Sequence, residues 1–300
     1  MIFKAHAKPV TAIAFSPDGR LIATASGTER NVRVWELGSS DKPKKLHEWP
    51  LSFSNGVGFS ANSRIVVAGS SEGVRAWDLA NNATSVIDAD FAAHKLCVSS
   101  QDIVYAHGFM ATKRWALPKG TELPGEWNGE DPEDRNYGVG PIACTSDGKR
   151  VAAHFSPKTS PPDSRFVVRD AGSGEVVARF DRQHVSVQPA RARFSSDNKL
   201  LATSYGAEIV VWDVATGKTT ATLSVGKKHV PDVAFTTSDT RLVATSNDET
   251  IRQWDTRTWE EKDVYSWKVG KLTVLDVSAD GCRVASAGAL GKVIVWDVVA

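Results

Sequence analysis

The 300-residue chain is 41% hydrophobic and balances 36 Lys and Arg against 35 Asp and Glu, for a formal charge of +1. That content supports a large core, and the balance leaves no global field to draw in nucleic acid or anionic lipid. Cys97, Cys144 and Cys282 form neither a disulfide framework nor a metal-ligand spacing, and no apolar run approaches the length of a membrane span.

The opening, MIFKAHAKPVTAIAF, has no uninterrupted apolar h-region and no small-residue cleavage site, so no secretion signal is read and a cytoplasmic location is expected. Residues 10–15, VTAIAF, alternate apolar and polar types as a strand does, and SPDG at 16–19 supplies a turn. Pro17 presets φ there, and Gly19 tolerates a positive φ where the hairpin tightens. LIATAS (21–26) is a second strand, TERN (28–31) a second turn, VRVWEL (32–37) a third strand and KKLHEW (44–49) a fourth. Four antiparallel strands, here named a to d, thus fill about 42 residues and leave no room for a helix.

The unit then recurs. Its a–b hairpin returns as GVGFSANSR (56–64) followed by IVVAGS, and in shortened form as LCVSSQDIVYAHG (96–108). It continues as IACTSDGKRVAAHF (142–155), RARFSSDNKLLATS (191–204), DVAFTTSDTRLVATS (232–246) and LDVSADGCRVASAG (275–288). Each c strand closes on a pentad: VRVWE (32–36), VRAWD (74–78), TKRWA (112–116), FVVRD (166–170), IVVWD (209–213), IRQWD (251–255) and VIVWD (293–297). The anchors Trp35, Trp77, Trp115, Arg169, Trp212, Trp254 and Trp296 stand 42, 38, 54, 43, 42 and 42 residues apart. A repeat this regular governs the architecture before any local propensity does.

The Trp-Asp endings and the FSPDG-like hairpins resemble the WD-repeat β-propellers over essentially the whole chain. The best match is SNDETIRQWD (246–255), where Asp248, Thr250 and Trp254 fall on the family's turn Asp, c-strand Thr and c-strand Trp. The Gly-His dipeptide that opens a typical repeat is poorly kept: Ala5-His6 is its nearest match in the first unit, and Gly226 with His229 in the sixth. The resemblance implies an all-β, seven-bladed propeller of four-stranded antiparallel blades, formed by residues 1–300 as one domain. IFKAH (2–6) is expected to pair beside Val293–Val298 as the last blade's d strand and close the ring, which leaves no long exposed edge. Each Trp is large enough to fill the gap between neighbouring sheets, with an indole N–H that seeks a partner. The acid beside it is placed to accept hydrogen bonds from the following turn. Arg169, in the weakest pentad, is read as a solvated or stem-packed side chain.

The 54-residue interval before Arg169 exceeds the usual spacing by 12 residues, located in NGEDPEDRNYGVGP (128–141) and SPKTSPPDS (156–164). These are a d–a and a b–c connection, which emerge at the same end of an antiparallel meander. Glu130, Asp131, Glu133, Asp134, Arg135, Tyr137 and Lys158 therefore form the candidate partner-binding patch, against the alternative of a merely solvated insertion. GEDPEDR lacks the oxygen spacing of a calcium loop.

No catalytic signature appears. The seven histidines, His6, His47, His94, His107, His154, His184 and His229, are dispersed, and nucleophile-elbow, Walker, Rossmann and HExxH patterns are absent. His107 and His154 lie on b strands and are read as structural. Cys97 and Cys144 lie on a strands and are read as small core residues, and Cys282 sits in a hairpin. The first residues of the a strands are mainly Val, Leu, Ala, Gly, Pro and Ser, so little polar chemistry is expected to converge on the centre of the ring.

The resemblance implies a non-enzymatic scaffold, monomeric on its own, binding proteins or peptides across one face. It calls for no cofactor or metal, and nucleic acid and membrane are not expected partners. The alternative is a lactonase- or hydrolase-type propeller enzyme with its site in the central channel.

Overall fold

The protein is described by a computed structural model over residues 1–38, 42–108, 111–124, 140–155, 164–183, 187, 189–236 and 238–298. Within these residues the chain forms seven four-stranded antiparallel sheets. The a strands are Ala12–Phe15, Gly56–Phe59, Lys95–Val98, Ile142–Cys144, Pro189–Phe194, Asp232–Phe235 and Leu272–Val277. Each touches its two neighbours around a ring, the seventh against the first, so these strands wall a central channel. The expected seven-bladed propeller is the observed fold.

Six blades take their strands in sequence order, whereas the seventh takes its d strand from the chain's start. Ile2, Phe3 and Lys4 pair with Ile294, Val293 and Lys292, a shorter ladder than the expected 293–298. The N–H groups of Ala5 and His6 extend the closure by donating to the Gly291 carbonyl at 2.9 and 3.0 Å. Gly291 is required there: its φ is +69°, and a Cβ would lie 2.1 Å from the His6 carbonyl oxygen.

Blades adhere through the c-strand tryptophans. Trp35 meets Phe3 of the seventh blade's d strand at 5.2 Å between ring centroids. Trp77 stacks on Trp49, Trp212 on Phe180, and Trp296 tilts against Trp267, at 5.0, 5.6 and 5.1 Å. In each pair the partner ring comes from the preceding blade, so the indole fills the wedge between sheets that splay apart with radius. In the fourth blade Arg169 replaces the indole. It is buried, and its guanidinium donates to the Gly174 carbonyl at 3.0 Å, which decides for the stem-packed reading over the solvated one.

The turns repeat as well. Asp18 Oδ1 accepts from Ser16 Oγ and from the Arg20 N–H, and Asp147, Asp197 and Asp280 do the same in their hairpins. These are Asx-type turns, so the recurring SPDG-like sequence is a backbone instruction. After the pentads, Asp78, Asp170, Asp213 and Asp255 accept N–H groups from the next two or three residues.

The first blade carries a buried polar chain. Trp35 Nε1–H donates to Thr24 Oγ1 at 3.1 Å, and Thr24 lies 2.8 Å from His6 Nε2. His6 Nδ1 lies 3.1 Å from Glu29 Oε2, whose other oxygen receives Arg33. One arrangement of protons satisfies all four groups: the Thr24 hydroxyl donates to Nε2, and Nδ1–H donates to Glu29. The sixth blade differs, because Asp248 is taken up by Thr250 and Arg252 rather than by His229.

Candidate functional site

The tentative docking residues Glu130, Asp131, Glu133, Asp134, Arg135, Tyr137 and Lys158 lie outside the described residues, as does His184. The structure instead draws attention to the channel, where it corrects two expectations. The channel is not polar-poor, and Cys97 and Cys144 are not simply core.

Alternation along the a strands turns Arg191 and Arg193 of the fifth blade, Asp276 of the seventh and Lys95 and Cys97 of the third toward the channel. A cavity of about 260 Å³ is lined by Cys97, Cys144, Arg191, Arg193 and Asp276, among others. A second, of about 220 Å³, lies at the end where the a strands begin, bounded by Thr11, Asn55, Lys95, Arg191, Pro231 and Thr273.

The charges are arranged in tiers. Arg191 meets Asp232 with two parallel bonds, Nε to Oδ1 at 2.7 Å and Nη2 to Oδ2 at 2.6 Å. Asp232 is fully buried and also accepts the N–H groups of Val233 and Leu275, at 2.9 and 3.0 Å. That carboxylate thus ties blades 5, 6 and 7 together and has no capacity to spare. Burial alone would lower the Arg191 pKa, but Asp232 outweighs it and holds the guanidinium charged. Asp276 Oδ2 accepts the Phe15 N–H at 2.8 Å, joining blade 7 to blade 1, and Arg193 stands 3.7 Å from its Oδ1. Burial pushes the Asp276 carboxyl up, with Arg193 the largest opposing influence.

Lys95 is different. Burial in the narrow channel, reinforced by Arg191, brings its ammonium down to about 8, and Asp232 only partly counters this. Among the described residues Lys95 makes no hydrogen bond or ion pair. The two thiols beside it also interact: burial raises Cys97, while the Cys97 thiol donating toward Cys144 lowers Cys144.

Sequence reasoning passed over this cluster because PARARF and LTVLDV alternate as any strand with a wet face does. The signal was nonetheless there, in charged residues spaced by two on a strand assigned to the innermost place. The histidines on b strands are held by hydroxyls, His107 Nδ1 by Thr112 at 2.7 Å and His154 Nε2 by Ser164 at 2.9 Å. Among the described residues no group of three or more His, Cys, Asp or Glu could hold a metal ion.

The family model for the WD domain, G-beta repeat, matches residues 1–36 and 217–255. Each match starts at or just before a d strand and ends on a c strand, so the repeat of the sequence straddles two blades of the fold. The chain is 28% identical to WD repeat and SOCS box-containing protein 1 of Danio rerio over 174 residues, which is 55% of this chain and 40% of that protein. It is 25% identical to apoptotic protease-activating factor 1 of Rattus norvegicus over 296 residues, which is 98% of this chain and 22% of that protein. A shorter match, 46% over 41 residues, covers 14% of the chain and 9% of COMPASS component SWD1 of Saccharomyces cerevisiae. The chain thus spans less than half the length of these relatives. Repeat signatures at residues 1–36 and 217–255, together with seven four-stranded blades closed by the N-terminal strand, support a WD-repeat β-propeller family for this chain.

Proposed function

We propose that the chain is a non-enzymatic scaffold that holds a protein or peptide partner on the end of the propeller built from its d–a and b–c turns. The observation that carries this reading is a group of exposed apolar side chains at that end. Phe53 is 52% exposed on the first d–a connection, Leu290 50% on the seventh b–c turn, and Val187 42% on the fourth d–a connection. The Arg30 guanidinium sits over the Phe53 ring at 5.3 Å. Aromatic and arginine side chains are the types that supply interface anchors, and turns on a rigid ring can present them at little ordering cost. Glu130, Asp131, Glu133, Asp134, Arg135, Tyr137 and Lys158 remain in the proposal as sequence-based members of the same surface. A cytoplasmic location belongs to this reading too, supported by three cysteines that are all unbridged.

The test is affinity capture from native extract, read by mass spectrometry, with a Phe53→Ser, Leu290→Ser double variant beside the unaltered protein. Val264→Ser serves as control, since Val264 is 47% exposed on a d strand away from that end. Proteins captured by the control and lost by the double variant support the reading. Equal capture by all three refutes the chosen face.

A further inference from the structure

Beneath that proposed docking end, one channel cation makes no ion pair among the described residues. Arg191 is matched by Asp232 in a two-bond fork, and Asp232 is saturated by two backbone N–H groups besides. Arg193 faces Asp276. Among the described residues Lys95 therefore makes no ion pair, and Asp232 acts on it only across space. Its ammonium offers three donors, and Lys95 lines the 220 Å³ cavity, within electrostatic reach of Arg191, Arg193 and Asp232 across the channel. Asn55 lines the same cavity, and its carboxamide makes no hydrogen bond among the described residues. The hydroxyls of Thr11 and Thr273 complete the polar wall, each already donating to a neighbouring blade's carbonyl.

A half-buried cation that lines a narrow cavity without an ion-pair partner is poised to take an anionic acceptor. Among the described residues Arg191 and Arg193 are matched by Asp232 and Asp276, and Lys95 is a surplus of one, which fits a singly charged anion better than a phosphate dianion. We propose that Lys95 and Asn55 form a carboxylate-binding site at the start of the channel, filled by an Asp or Glu side chain of a peptide docked across this end of the propeller. The peptide as the source rests on the scaffold reading; the carboxylate chemistry does not.

Two measurements separate these parts. The first follows the acylation rate of Lys95 by mass spectrometry across pH 6–10, with and without sodium acetate. A bound carboxylate stabilises the ammonium, so acetate should shift the Lys95 profile upward by at least half a pH unit and leave unmoved that of Lys268, which is exposed and does not line the cavity. An unshifted profile overturns the site itself. The second compares the binding of fluorescein-labelled peptide pools that carry a central Glu or a central Gln, read by anisotropy. The Glu pool should bind about tenfold more tightly, and Lys95→Met, close in shape and uncharged, should abolish the preference. Equal binding of the pools, or a preference that survives Lys95→Met, overturns the peptide as the source. An acetate shift with no peptide binding keeps the carboxylate site and removes the scaffold reading's claim on it.

Discussion

Replacing Thr24 by Val tests whether the polar chain of the first blade holds the N-terminal segment onto the ring. The two side chains have nearly the same shape, and Thr24 is completely buried, so packing changes little. The hydroxyl, however, is the shared partner of Trp35 Nε1 at 3.1 Å and His6 Nε2 at 2.8 Å. Its loss strands a buried donor and a buried acceptor, at about 1–3 kcal/mol each. The added methyl returns at most about 0.8 kcal/mol, which leaves a net loss of roughly 1–5 kcal/mol. Thr245 is the matched control on the sixth b strand: it too is fully buried, but its hydroxyl only reaches the Asp232 carbonyl at 3.4 Å. Thr245→Val should cost under about 1 kcal/mol. Urea unfolding at pH 7.5, followed by tryptophan fluorescence, gives both values. If Thr24→Val costs no more than Thr245→Val, the chain of hydrogen bonds contributes nothing and the reasoning fails.

Closure can be tested at Gly291, where Ala would meet both a positive φ and the His6 carbonyl. That strain, about 2–3 kcal/mol, should lower the melting temperature by about 3–5 °C, and deletion of residues 1–6 should lower it at least as much. An unchanged melting curve for the deletion rules out closure by that strand. Burial lowers His107 to about 4 and His154 to about 3, so the folded protein refuses protons that the unfolded chain accepts below pH 6.5. Stability must therefore fall with pH through that window, by about 2 kcal/mol per histidine between pH 6.5 and 5; a flat urea midpoint over this range contradicts it. Asp232→Asn leaves Arg191 buried without its carboxylate and should cost about 3–5 kcal/mol, measured by the same unfolding curve, whereas a loss under about 1 kcal/mol would show that the fork is not structural. With a thiol reagent under native conditions, Cys282 should react first, being exposed, and Cys97 and Cys144 slowly; three equal rates would argue against a narrow channel.

The division between sequence and tertiary structure follows from range. Trp at a 42-residue spacing and Ser-x-Asp hairpins are local signals, because an Asx turn or a strand alternation is satisfied within a few residues of itself. They determined the strands, the number of blades and the closure by residues 2–6, of which the folded ring pairs only Ile2–Lys4 as a strand. The channel's chemistry was decided elsewhere. Lys95, Arg191, Asp232 and Asp276 come from four blades, and nothing near any one of them in the chain reveals which charges are paired. Only the packing of neighbouring blades sets Arg191 against Asp232 and, among the described residues, leaves Lys95 without an ion pair. The same holds for His6, whose partner Glu29 lies 23 residues away, a match made by the folded blade and not by the motif. Periodicity fixed where each residue stands, and the three-dimensional neighbours fixed what it can bind, because charge compensation is a sum over space and not along the chain.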